Sequence, residues 1–280
     1  DIRMSGDVAR DLEASFIRQW DMSLHRYPTG LGSWLTELAL PPAPLLPAGA
    51  AVEVAPTRAA PPTFTGVALR RVDYVPRLAE PYGLRQMAWL FGSVRRNVTC
   101  HMPYLFLGEL QMRWIGRAAR RGVRVKLLTN GPDSHDIHRA VAWAARAGYH
   151  ELQRRAGKNL VIYEWVQAPI HSKVCVADDI VSLVGSSNHD MVSQLFSAEL
   201  GVVATDEALS RHVAQMMTGD LQASRPITRD EGRAWATLLD HPPNFGAWDS
   251  VPRLFARLID QLAMPYLRGH AKMRREFLSL

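Results

Sequence analysis

Residues 170–199 read IHSKVCVADDIVSLVGSSNHDMVSQLFSAE, and the rest of the chain is arranged around them. Two apolar runs, Val174–Ala177 and Ile180–Val184, flank Asp178 and Asp179. Asp tolerates the backbone of a tight turn, so the spacing predicts a two-residue hairpin with Ala177 opposite Ile180. Counting back from that tip puts Lys173 opposite Val184 and His171 opposite Ser186. Side chains alternate along a strand, and directly opposed residues share a face. His171, Lys173, Ser186 and Asn188 are therefore expected on one face. They offer an imidazole, a fixed cation, a hydroxyl and an amide, a set suited to holding a phosphate during attack. Both runs carry apolar residues on both faces, which predicts a buried hairpin with the polar cluster at its open end. Asp178 lies five residues past Lys173. In an extended strand that is about 17 Å, with the two side chains on opposite faces. Geometry alone assigns Asp178 to the turn.

The series His171-x-Lys173-x4-Asp178, Gly185-Ser186-x-Asn188 and Glu199 resembles the second active-site motif of the phospholipase D superfamily. The string GSSNHDMVSQLFSAEL is most similar to the cardiolipin synthase branch. That branch usually carries Arg near Val192 and Asn near Ser197, where this chain differs. The resemblance implies a phospholipase D-like α/β fold. It also implies His171, Lys173, Asp178 and Glu199 as catalytic residues, with Lys173, Ser186 and Asn188 on the substrate phosphate. Glu199 would orient the His171 imidazole, since a carboxylate fixes tautomer and direction. The implied reaction is phosphodiester exchange through a phosphohistidine, with no cofactor and no metal. The expected function is a cardiolipin synthase-like phosphatidyltransferase or phosphodiesterase. The alternatives are a phospholipase D-type hydrolase or nuclease of the same superfamily, and a non-catalytic lipid-binding protein.

The chain has 280 residues, of which 47% are hydrophobic, enough for a sizeable core. Its net charge is +6, which suits anionic partners or simply a soluble basic protein. The expected partners are a phospholipid substrate and an anionic membrane surface; nucleic acid is disfavoured, because no basic groove interleaved with aromatics is evident. No apolar run reaches about 18 residues, so no transmembrane helix is expected. A membrane-associated enzyme at a bacterial cytoplasmic membrane is the expectation. Cys100 and Cys175 are the only cysteines. Cys175 sits inside an apolar strand, which favours a buried free thiol over a disulfide.

Residues 1–27 resemble the stretch that follows the first catalytic motif in two-motif members of the superfamily. The chain begins at Asp1 and holds no second His-x-Lys-x4-Asp. The expectation is that a missing N-terminal catalytic half, or a homodimer partner, supplies the other histidine. Residues 28–66 are rich in Pro and Ala and read as a linker. Residues 67–223 are expected to form the catalytic domain. Within it, strands are predicted at Val67–Val75, Asn97–Leu105, Val123–Leu128, Asn159–Val166 and Gly201–Ala204. Helices are predicted at Tyr82–Val94, Leu110–Arg121, from Ser134 to a stop at Gly148, and Ala208–Met217. Strand–helix alternation predicts βαβ units and a mixed, largely parallel sheet flanked by helices. Pro103-Tyr104 resembles the family's exposed segment beside the active site. Residues 224–280 are expected to be a helical, basic tail. In that tail Leu254, Phe255, Leu258, Ile259 and Leu262 form a helical stripe that packs on the core or lies on a membrane. His135-x-x-His138 has metal-ligand spacing but no evident third ligand. The basic cluster Arg117–Lys126 reads as a solvated face.

Overall fold

The computed structural model describes residues 64–74, 82–134, 139–188 and 199–240, with 9, 10, 14, 190 and 193. Most of the N-terminal segment 1–27 and of the Pro-rich stretch, with His135, His138 and the tail beyond 240, lie outside the described residues. Contacts divide the chain into two units, Met4–Gly66 and a larger one that runs from Val67 onward with Asp1–Arg3. The larger unit contains β1 (Ala68–Tyr74), α1 (Tyr82–Ser93), β2 (Asn97–His101), α2 (Glu109–Arg120) and β3 (Arg124–Asn130). There follow α3 (Arg139–Ala156), β4 (Leu160–Trp165), β5 (Val174–Ala177), β6 (Val181–Gly185) and β7 (Glu199–Thr205). Then come α4 (Glu207–Gln222), β8 (Arg225–Ile227) and α5 (Arg229–Asp240).

The eight strands of the described residues join one sheet in the order β1-β7-β6-β5-β2-β3-β4-β8. It is a mixed sheet flanked by helices, an α/β architecture. The strands β2, β3 and β4 run parallel, and every other pairing is antiparallel. The parallel share is smaller than the alternation implies, because β5 returns to pair with β2 instead of extending the sheet beyond β4. Period-2 burial sorts the two faces. Val98, Cys100, Val125, Leu127 and Ile162 are buried against Phe91 of α1, Trp114 and Ile115 of α2, and Tyr149 and Leu152 of α3. On the other face Ser182 donates to Ser210 of α4 at 2.8 Å. The α4 helix starts at Asp206, whose carboxylate accepts from the Leu209 N–H at 2.7 Å, an N-cap.

Four expectations need correction. First, α3 runs through Gly148 to Ala156. Its buried face, Ala145, Tyr149, Leu152 and Ala156, spans the glycine, and packing of that face outweighs the glycine's propensity cost of about 1 kcal/mol. The helix ends instead at Gly157, in left-handed conformation with φ +68. The Ser134 hydroxyl accepts from the Gly131 N–H and donates to the Trp165 carbonyl. Second, the sheet continues past residue 223, because β8 pairs with β4 and α5 packs on α3. Buried Glu164 on β4 holds that junction, accepting from Arg146 at 2.7 and 2.6 Å and from Arg225 at 3.0 Å. Third, Cys100 and Cys175 face each other directly across β2 and β5 and form a disulfide, with Cα atoms 4.1 Å apart. They lie 75 residues apart in sequence, and only the β2–β5 pairing makes them neighbours.

The fourth correction concerns the hairpin. Asp178 and Asp179 do form its tip, with left-handed φ of 54 and 61, and the Ile180 N–H bonds the Ala177 carbonyl at 3.1 Å. Ile180 then bulges out, its carbonyl accepting from the Asp206 N–H at 2.9 Å. Ala177 therefore pairs with Val181 and Val174 with Val184. The extra residue moves every pairing toward the open end by one position.

Candidate active site

One end of the sheet collects the C-terminal ends of β2, β3, β4 and β6 and the starts of β5 and β7. The residues just before β5 carry His171 and Lys173. The ladder extends one step past β5, since the Gly185 N–H bonds the Lys173 carbonyl at 3.1 Å. Lys173 thus faces Gly185 and not Val184, so the observed register does not set His171 opposite Ser186.

His171 is exposed, and its ring stands edge-on to Tyr104, with centroids 6.2 Å apart. Lys173 is buried, and its ammonium donates to the His171 carbonyl at 2.8 Å. Pro103 is buried and Tyr104 half-buried, so this segment is less exposed than its family counterpart implied. Ser186 and Glu199 meet where β6 and β7 end. The Ser186 hydroxyl donates to the Glu199 carboxylate and accepts from the Leu200 N–H at 3.0 Å. Glu199 is buried and accepts from the Ser186 hydroxyl; among the described residues no hydrogen bond joins it to the His171 imidazole. Close packing sustains this corner. A Cβ on Gly185 would lie 2.8 Å from the Leu200 carbonyl oxygen and 3.0 Å from the Gly201 Cα, both backbone atoms. Asn188 is half-buried, and its Oδ1 has no partner among the described residues.

Asp178 lies at the opposite end of the sheet. Its Oδ1 accepts from the N–H groups of Arg96 at 2.7 Å and Asn97 at 3.0 Å, and its Oδ2 from Arg95 at 2.8 Å. The Arg96 guanidinium also donates to the Asp178 carbonyl at 2.6 Å. Burial pushes this carboxyl up, but the N–H groups of Asn97, Arg95 and Arg96 and the Arg96 charge outweigh it. The net effect holds it below the usual range. Asp178 fastens the turn to the start of β2.

Two residues without any sequence signature also reach the site. Asn130, at the end of β3, donates to the Ile170 carbonyl at 2.8 Å and accepts from the Ile170 N–H at 2.9 Å. His101, at the end of β2, places Nδ1 3.0 Å from the Ser172 hydroxyl and 3.8 Å from an Asp220 carboxylate oxygen. Burial lowers the His101 pKa to about 4, so its ring is neutral at pH 7. Among the described residues, no group of three or more His, Cys, Asp or Glu could hold a metal ion. Among them too, no helix is long and apolar enough to cross a membrane.

Residues 90–221 match the family described as cardiolipin synthase, PLD-like domain. Cardiolipin synthase B of Escherichia coli (strain K12) is 32% identical over 131 residues, 47% of this chain and 30% of that protein. A cardiolipin synthase of Clostridium perfringens (strain 13 / Type A) is 29% identical over 140 residues, 50% of this chain and 28% of that one. The chain thus spans under a third of the length of these relatives. Among solved structures, the phosphatidylserine synthase of Haemophilus influenzae Rd KW20 superposes with a TM-score of 0.57 at 15% identity. That superposition covers 70% of this chain and 47% of that one, and it shows a shared fold.

Proposed function

We propose, for a chain whose residues 90–221 match the family described as cardiolipin synthase, PLD-like domain, that it is the histidine-bearing half of a phosphatidyltransferase. The observation that carries this reading is the register of β5, β6 and β7. It sets Lys173, Gly185-Ser186 and Glu199 side by side at the sheet end from which His171 projects. An exposed imidazole beside a buried ammonium suits a phosphodiester, whose negative oxygens need a fixed cation while a proton moves.

In the proposed reaction one imidazole attacks phosphorus, a P–N bond forms, and the P–O bond to the leaving alcohol breaks. A second imidazole gives that alcohol its proton. The same second imidazole then removes the proton from an acceptor hydroxyl, which attacks phosphorus and breaks the P–N bond. By its likeness to the second motif, His171 is the proton-transferring imidazole. The nucleophile comes from another His-x-Lys-x4-Asp half or from a second copy of this chain. Lys173 stabilises the phosphoryl oxygens. Asn188 assists once its amide is turned so that an N–H occupies the unpartnered Oδ1 position, since the two atoms exchange by a simple flip. The substrate is a phospholipid, the acceptor another lipid alcohol, and the reaction takes place at an anionic membrane surface.

The test uses protein carrying this chain and vesicles of phosphatidylglycerol, which supplies both the diester and the acceptor alcohol. Cardiolipin and free glycerol should form, an acid-labile phosphoryl adduct should be trapped on quenching, and His171→Ala should remove product. Unchanged turnover in His171→Ala would refute the assignment. Phosphatidic acid as sole product would make it a hydrolase, DNA cleavage without lipid turnover a nuclease, and vesicle binding without either a lipid-binding protein.

A further inference from the structure

Residues 166–173, which deliver His171 to the site, lie in no helix or strand, and the last ladder bond, from the Gly185 N–H to the Lys173 carbonyl, stops two residues short of that histidine. Two buried side chains take over that task. We propose that Asn130 and His101 are positioning residues that fix His171 by gripping its two chain neighbours. Asn130 is 1% exposed and uses both ends of its amide on the backbone of Ile170, imitating a strand partner. His101 is 2% exposed and bonds the side chain of Ser172. The chain is thus tied down immediately before and immediately after His171, while the imidazole itself stays exposed. Neutral His101 keeps one donor and one acceptor nitrogen, so the Ser172 hydroxyl can bond it in either sense.

The same strand end also places the ring that His171 meets. The Asn130 N–H bonds the Pro103 carbonyl at 3.4 Å, and the Thr129 hydroxyl donates to that oxygen at 3.2 Å. Asn130 therefore governs both partners of the His171–Tyr104 pair, Tyr104 through Pro103 and His171 through Ile170. Loss of the clasp should shift the imidazole against Tyr104. A displacement near 1 Å costs on the order of 10²-fold in rate when a group must meet a reacting atom.

The kinetic arm of the test rests on the proposed phosphatidyl transfer; the spectroscopic arm does not. Protein labelled in its histidine rings would be compared with Asn130→Ala, Asn130→Asp and Ser172→Ala, the His171 resonance being identified by its loss in His171→Gln. Asn130→Asp keeps the shape but turns a donor into an acceptor facing the Ile170 carbonyl. Ser172 is exposed, so its variant folds even if Asn130→Ala does not. The His171 resonance should move in both Asn130 variants, as the ring current of Tyr104 changes, and by less in Ser172→Ala. Those of His150 and His212 should hold. kcat should fall roughly 10²-fold for Asn130→Asp at unchanged KM. An unmoved His171 resonance in Asn130→Asp and Ser172→Ala overturns the proposal, whatever happens to the melting temperature. If the wild type transfers no phosphatidyl group, the functional reading fails and the resonances alone decide the clasp.

Discussion

Replacing Asp178 by Asn separates a structural from a catalytic carboxylate. Asn tolerates left-handed φ as Asp does, so the backbone at φ 54 adds no cost and the loss comes from the charge alone. Oδ1 can still accept from Arg96 and Asn97, as a neutral amide oxygen in place of half a carboxylate. The new NH2 group meets the Arg95 N–H, where Oδ2 had accepted at 2.8 Å. Hydrogen bonds to charged groups are worth about 1.5–3 kcal/mol, so losing one and weakening two should cost about 2–3 kcal/mol. At roughly 2–4 °C per kcal/mol for a domain of this size, the melting temperature should fall by roughly 5–10 °C. The sign with pH follows from the lowered carboxyl. Its stabilisation is complete above the unfolded value of 3.8 and is lost as pH falls through the lower folded value. The gap between wild type and variant should therefore close in acid. Thermal melts across pH, with turnover measured well below the melting temperature, make the comparison, and kcat should not change. A variant that melts like wild type but has lost about 10²-fold in kcat would refute the reasoning and make Asp178 part of the chemistry.

Gly185→Ala should destabilise by about 1–3 kcal/mol, seen as a lower denaturant midpoint, because its Cβ would press on the Leu200 oxygen and the Gly201 Cα. Glu199→Gln should keep most of its stability and lose on the order of 10²-fold in kcat, since the carboxylate that holds Ser186 at the site becomes a neutral amide. His101 has a folded pKa of about 4 against an ordinary 6.5, so the unfolded chain binds the extra proton between those values. Wild type should lose up to about 3 kcal/mol of stability as pH falls from 6.5 to 4, and His101→Gln should lose correspondingly less, which denaturant titrations at both pH values would reveal.

The apolar runs flanking Asp178 and Asp179 were enough to predict a hairpin, because alternation and turn chemistry act over a few neighbouring residues. The spacing of His171, Lys173, Gly185, Ser186 and Glu199 carried the family likeness for the same reason, being local to thirty residues of chain. Most helices and strands were legible too, where an apolar face recurs with the period of its own element. The register was not legible. Ile180 bulges out with its carbonyl bonded to the Asp206 N–H, a partner known only once β6 and β7 are paired. That one residue shifted every pairing of the hairpin by one position, so that Lys173 faces Gly185 and not the predicted Val184. The role of Asp178 as anchor of β2 rests on N–H groups more than 80 residues earlier. The Cys100–Cys175 bond needed β5 beside β2. Asn130 and His101 look in sequence like ordinary strand-end residues. Their use comes from hydrogen bonds to backbone and side-chain groups whose position depends on the assembled sheet, and no local pattern encodes such a partner.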